Sequence, residues 1–341
     1  MNSLWFFIWG ILWMVYFILD GFDLGLGSLM PFLAKNEQDK KYIYSAMGPF
    51  WDGNEVWLVA AGGVTFAAFP KTYAVMFSGL YTALMLVLVA LIIRGVAFEF
   101  RHQIHNRFWQ GFWDLCLFFG SLLPGLLLGV AFANIFKGIP IDENGVFRGN
   151  LLTLLNPYGL LGGILFLLLF LEHGALWLCY RTKESDLHFR AGVATIRIWQ
   201  ANVIVFVLFL VATAFYTDLL KNYFNHFYLL LLLLIPIYGL FLTRNSIAEQ
   251  KWLKAWIGSA ITIAGTVFFG FVGLYPNMLP SSIDPKYCIT IYNGSSSPMT
   301  LKIMLIIVLI FVPIVILYQF WTYKKFSYKL TDDVLSYEEG Y

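Results

Sequence analysis

Nine apolar runs divide the chain, at about residues 4–33, 48–69, 73–99, 111–136, 157–180, 197–218, 226–243, 253–276 and 300–323. A bilayer core about 30 Å thick takes roughly 20 apolar residues of helix to cross, so each run is long enough to span. The runs predict an all-α, polytopic membrane protein of about nine transmembrane helices in helical bundles. They occupy one integral membrane domain, residues 1–341, with no extramembrane domain; the longest loop is about 277–299. Only "FPKTY" parts the second and third runs, which predicts a tight antiparallel hairpin. Composition agrees: 12% of residues are charged, against about 25% in soluble domains. The opening "MNSLWFFIWGILWMVYFILD" lacks the basic n-region and small-residue cleavage site of a signal peptide, so it reads as a retained span.

Charge sets the expected orientation. The odd-numbered loops and the C-terminal tail hold 15 Lys and Arg, and the even-numbered loops hold 6. The positive-inside rule then places the N-terminus in the periplasm and the C-terminus in the cytoplasm. The basic residues are spread over short loops without forming a patch, so nothing points to nucleic acid.

With that orientation, Asp20 lies 16 residues into the first span, about 24 Å along at 1.5 Å per residue, near the cytoplasmic edge. Asp23 is one turn further on the same face. Asp52 and Glu55 stand in the first two turns of the second span, and the third brings Arg94 and Glu99 to the same side. Acids in hydrocarbon cost roughly 2.5–3.5 kcal/mol at a helix centre and less near the edge, and they usually face protein or water. A file of carboxylates at the cytoplasmic mouth suits proton uptake. A structural alternative exists for each: the helix dipole favours Asp52 and Glu55 at an N-terminus, and Asp20 can pair with Arg94. Gly21 and Gly25 form a small-xxx-small face that allows close helix approach beside the acids.

Of five histidines, only His173, in "LEHGALW", lies well inside a span. One intramembrane histidine cannot supply a bis-histidine haem site, although methionine leaves mixed ligation open. A packing role suits His173 better, and Glu172 beside it is either a proton relay or its partner. Cys116, Cys179 and Cys288 have no metal-ligand spacing and read as free thiols, so no metal site is expected. No glycine loop with a lysine is present for nucleotide-driven transport.

Several motifs resemble one family. "DGFDLGLGSLMPFL", "WDGNEVWLVAAGG", "FP", "FSGLY", "RGVAFEFR", "NPYGLLGG", "EHGA" and "YPNMLPSS" resemble, in that order from about residue 5 to 325, subunit II of the cytochrome bd-type ubiquinol oxidases, including the cyanide-insensitive branch. The resemblance implies a multi-pass protein of the bacterial inner membrane and a heterodimer that oxidises quinol and reduces O₂ to water. It implies that haem b and haem d, and the quinol-oxidation loop, belong to the larger partner, subunit I. It leaves room for a small single-span third subunit. Quinol would release protons outside while O₂ reduction draws them from inside. By the same resemblance the proton-path acid of "WDGN" falls on Asp52, and those of "DGFD" on Asp20 and Asp23. Trp51 and Arg94 become neighbours of a structural quinone. Glu55 departs from the pattern, since some members carry Gln there.

Two other classes compete. A proton-coupled secondary transporter also uses intramembrane acids, but such folds favour inverted repeats and midplane sites, and here the acids sit near one edge. A purely structural subunit would only shield its partner from lipid.

Overall fold

The computed structural model describes residues 1–183 and 185–331. In chain order the helices are α1 (Asn2–Leu33), α2 (Glu37–Met47), α3 (Trp51–Ala68), α4 (Pro70–Gly79), α5 (Tyr81–Phe100), α6 (Arg107–Lys137), α7 (Leu151–Leu154), α8 (Pro157–Arg181), α9 (Asp186–Tyr216) and α10 (Leu220–Asn225). A 3₁₀ stretch, Phe227–Leu233, leads into α11 (Leu234–Ala248), followed by α12 (Trp252–Leu274). Two short antiparallel strands, β1 (Asn277–Leu279) and β2 (Ile289–Thr290), precede α13 (Pro298–Lys325).

Among the described residues, eight helical segments are long and apolar enough to cross a membrane. The remaining expected span, α3, is less apolar because its first turns carry Asp52, Asn54 and Glu55. It nevertheless runs antiparallel along α1. The Trp9 indole donates to Thr65 Oγ1 at 2.8 Å near one end, and Asn54 donates to the Leu19 carbonyl at 2.9 Å near the other. Meanwhile α13 runs parallel to α1: the Trp5 indole reaches the Leu301 carbonyl, and Gln319 reaches Asn54. First and last helices that point the same way fit an odd number of spans, which α3 added to the eight would give.

The core sits on α1, which packs against α3, α6, α8 and α12. Its Trp5, Trp9, Trp13, Tyr16 and Phe17 are buried, and Trp13 and Phe17 meet Phe132 of α6 edge-on. Aromatic rings of this size fill the space between helices, and the Trp5 and Trp9 N–H groups find partners there. The closest approach is between α1 and α8. A Cβ on Gly25 would lie 1.7 Å from the Phe170 carbonyl oxygen, and one on Gly174 would lie 2.4 Å from the Leu26 nitrogen. Gly21 meets the Phe170 ring in the same way. The small-residue face read from the sequence is therefore where two backbones touch.

The tight hairpin does not form. The third run breaks at Leu80 into α4 and α5, and α5 packs along α6 rather than along α3. Gly79 marks the break, because a Cβ there would meet the Phe147 side chain at 2.7 Å; a side chain from the 138–150 loop seats where the helix parts. Two further boundaries differ. The sixth run begins at Asp186 rather than 197, its added turns carrying polar residues at the helix start. The seventh is 3₁₀ over its first seven residues.

Polar turns gather at the two ends. At the α1 N-terminal end, Asn2 donates to the Ile291 carbonyl and Ile139 N–H to that of Pro280. At the other end α2 lies across the bundle, with the Trp177 indole donating to the Ala46 carbonyl. There Arg101 donates to Asp114 and Glu37, each at 2.6 Å, and Lys40 bridges the same two acids. Partial burial would raise the Glu37 carboxyl, but hydrogen bonds from Lys40 and Arg101 outweigh it and hold the group below the usual range.

Candidate functional site

The acids of α1 are the starting point. Asp20 and Asp23 lie three residues apart near the α2 end of the bundle and are both buried. They turn to different partners. Asp20 Oδ1 accepts from Arg94 Nη2 of α5 at 2.7 Å, and the same nitrogen donates to Glu55 Oε1 of α3 at 2.5 Å. Arg94 is fully enclosed. It is one cation between two carboxylates, with Asp23 nearby as a third. A single guanidinium cannot balance two buried carboxylates and the half-buried Glu55, so full ionisation of the cluster would need hydration, and otherwise it holds protons. Asp23 Oδ1 and Arg94 Nε and Nη1 find no partner among the described residues, and the Tyr16 hydroxyl lies beside Asp20. Polar atoms of this kind, grouped at one place, are those that bridging water satisfies.

Asp23 is held by Asn54, a residue the sequence reading passed over. Asn54 Nδ2 donates to Asp23 Oδ2 at 2.7 Å and to the Leu19 carbonyl. Its Oδ1 accepts from Gln319 Nε2 at 2.9 Å and from Tyr323 OH at 3.1 Å, both on α13. The amide thus uses two donors and two acceptors, its full capacity. α13 is otherwise mostly exposed, so this amide is its main polar tie to the bundle. Replacing Asn54 with leucine is expected to lower stability by about 3 kcal/mol, because it strips a buried carboxylate of its hydrogen-bond donor. A thermal melt of the purified complex measures this; a melting temperature equal to wild type contradicts the assignment.

The other residues named from the sequence fall nearby but not inside the cluster. Asp52 is in the first turn of α3 and exposed, as is Glu99 at the end of α5. The expected single-depth group of acids therefore separates into a buried pair, Asp20 and Asp23, the half-buried Glu55, and the exposed Asp52 and Glu99. Trp51 stacks on Phe98, ring centroids 5.1 Å apart and planes 2° apart, above Gly95. Arg94 is enclosed, while Trp51 is half-buried with one ring face on Phe98. An apolar groove of about 680 Å³ lies elsewhere, between α1, α3 and α13, with Trp57 and Val312 on its walls and Gln319 and Tyr323 at one end.

His173 uses both ring nitrogens within the chain, with Ser259 Oγ and the Ile18 carbonyl, and stacks on Trp256 at 4.8 Å. That is a packing role. Glu172 is not its partner; it bonds Asn202 of α9.

Comparison with known proteins places this arrangement. Residues 1–326 match the family described as Cytochrome bd terminal oxidase subunit II. The chain is similar to cytochrome bd ubiquinol oxidase subunit 2 of Bacillus subtilis (strain 168), 35% identical over 331 residues, 97% of each chain. It is also similar to cytochrome bd-I ubiquinol oxidase subunit 2 of Escherichia coli (strain K12), 32% identical over 364 residues covering 98% of this chain and 96% of that one. A chain in the structure of bd oxidase from Geobacillus thermodenitrificans shares the fold, with TM-score 0.75, 18% identity, and coverage of 93% of this chain and 97% of that one. An all-helical membrane fold with buried acids tied across α1, α3 and α5, and relatives of this similarity over nearly the whole length, lead to one assignment: the chain belongs to the cytochrome bd terminal oxidase subunit II family.

Proposed function

We propose that the chain, as one integral membrane unit over residues 1–341, is the non-haem subunit of a quinol:O₂ oxidoreductase in the bacterial inner membrane. It supports a haem-bearing subunit I and delivers protons toward that partner's O₂-reducing centre. The observation that carries this reading is that one end of the bundle holds both an exposed acid, Asp52, in the first turn of α3 and two buried acids, Asp20 and Asp23, on the neighbouring α1. The basic residues concentrated at that end support reading it as the cytoplasmic side. Asp52 would collect protons from water, and Asp23 or Asp20 would pass them inward, with Asn54 and Arg94 fixing the two carboxyl positions.

Haem b and haem d fit the partner rather than this chain, since the intramembrane His173 has both nitrogens engaged. A structural quinone fits the α1–α3–α13 groove better than Trp51 and Arg94. No step of the proton route passes through it. A small third subunit would find unpartnered apolar helix surface at the edge of the fold.

Purification through a tag on this chain tests the assembly. The expected result is a second chain carrying b- and d-type haem absorption, with no haem retained when this chain is isolated alone. Haem retained by the isolated chain contradicts the division of labour.

A further inference from the structure

Glu172 lies in the middle of α8, fifteen residues from its start, roughly 22 Å along the axis at 1.5 Å per residue, and is 1% exposed. Its Oε2 accepts from Asn202 Nδ2 of α9. Oε1 has no partner, and neither does Asn202 Oδ1. Two acceptor oxygens, both buried and both orphaned, therefore belong to one side-chain pair.

Among the described residues no cation is paired with them. The neighbouring His173 turns away, engaged by Ser259 of α12 and the Ile18 carbonyl of α1. On α1, Asp20 and Asp23 face Arg94 and Asn54. On α6, Asp114 is tied to Arg101. On α9, the nearest charged residue along the chain is Arg197, five residues from Asn202 and exposed. An ionised carboxylate in this position would have one amide donor and no counter-charge, an arrangement that buried charges do not sustain. A carboxylic acid resolves it. Its O–H donates to Asn202 Oδ1 while its carbonyl oxygen accepts from Asn202 Nδ2, so one added hydrogen satisfies both orphans.

We propose that Glu172 and Asn202 form a proton-binding site, a neutral acid–amide pair that joins α8 to α9 and holds one proton in the resting protein. The site is separate from Asp20 and Asp23 of α1 and does not rest on the uptake route; an inactive Asp52 route would leave it standing.

Infrared spectra of the purified oxidase complex test it. The wild type is expected to show a protonated-carboxyl C=O stretch that Glu172→Gln removes. Asn202→Ala is expected to shift that band to higher frequency by removing its hydrogen-bond donor. Replacing sodium by choline should leave the band unchanged. Wild-type and Glu172→Gln spectra that superimpose in this region overturn the proposal. So does a band that sodium abolishes, which would assign the oxygens to a metal cation. Should Glu172→Gln fail to assemble, the Asn202→Ala shift decides, and an unmoved band overturns the site.

Discussion

Arg94→Ala is expected to destabilise the protein by about 3–5 kcal/mol, the cost of leaving buried carboxylates without their cation. Arg94 has no exposed surface, and its Nη2 serves both Asp20 and Glu55. The loss should shrink when Asp20 is changed to Asn in the same chain, because the second substitution removes the charge the first one orphans. The measurement is the thermal half-life of the detergent-purified complex for the wild type, the two single variants and the double variant. An Arg94→Ala complex as long-lived as wild type would remove this residue from the electrostatic account.

Gly25→Leu should be more damaging still. The clash would be with the backbone of Phe170, not with a side chain that can turn aside. Overpacking of a core commonly costs about 1–3 kcal/mol when neighbours can relax; here α1 and α8 must separate, and the helix pair that positions Asp20 and Asp23 separates with them. The expected outcome is near-complete loss of haem-loaded complex from membranes. Gly111→Ala is the control: nothing lies within 4 Å of a Cβ at that position, and removing a helical glycine at an unstrained site should be neutral or gain up to about 1 kcal/mol. Equal complex yields from the two variants would contradict the close α1–α8 contact.

These two positions also show what was legible beforehand. Gly21 and Gly25 stand four apart in an apolar run, a pattern that declares its own packing face, and Arg94 beside Asp20 followed from depth alone. Asn54 did not declare itself. Its partners Gln319 and Tyr323 are more than 260 residues away, and periodicity carries no information about which polar groups meet across a bundle. α2 was missed because Glu37–Met47 is too polar and too short to stand out from a loop; its helix is held by the Asn36 cap and by ion pairs to Arg101 and Arg190. The break at Leu80 was hidden within a continuous apolar run. Only the seating of Phe147 against Gly79 explains it. Asp52 stands at the helix end that the sequence predicts, but spacing gives no way to separate it, exposed, from the half-buried Glu55 three residues on.

The most direct test is turnover and proton uptake by the complex reconstituted in vesicles with Asp52→Asn. Uptake through α3 predicts normal haem content and assembly, with oxidase turnover and uptake from the cytoplasmic face both slowed at least tenfold. Wild-type turnover together with wild-type uptake would contradict it and leave the chain as a shield around its partner.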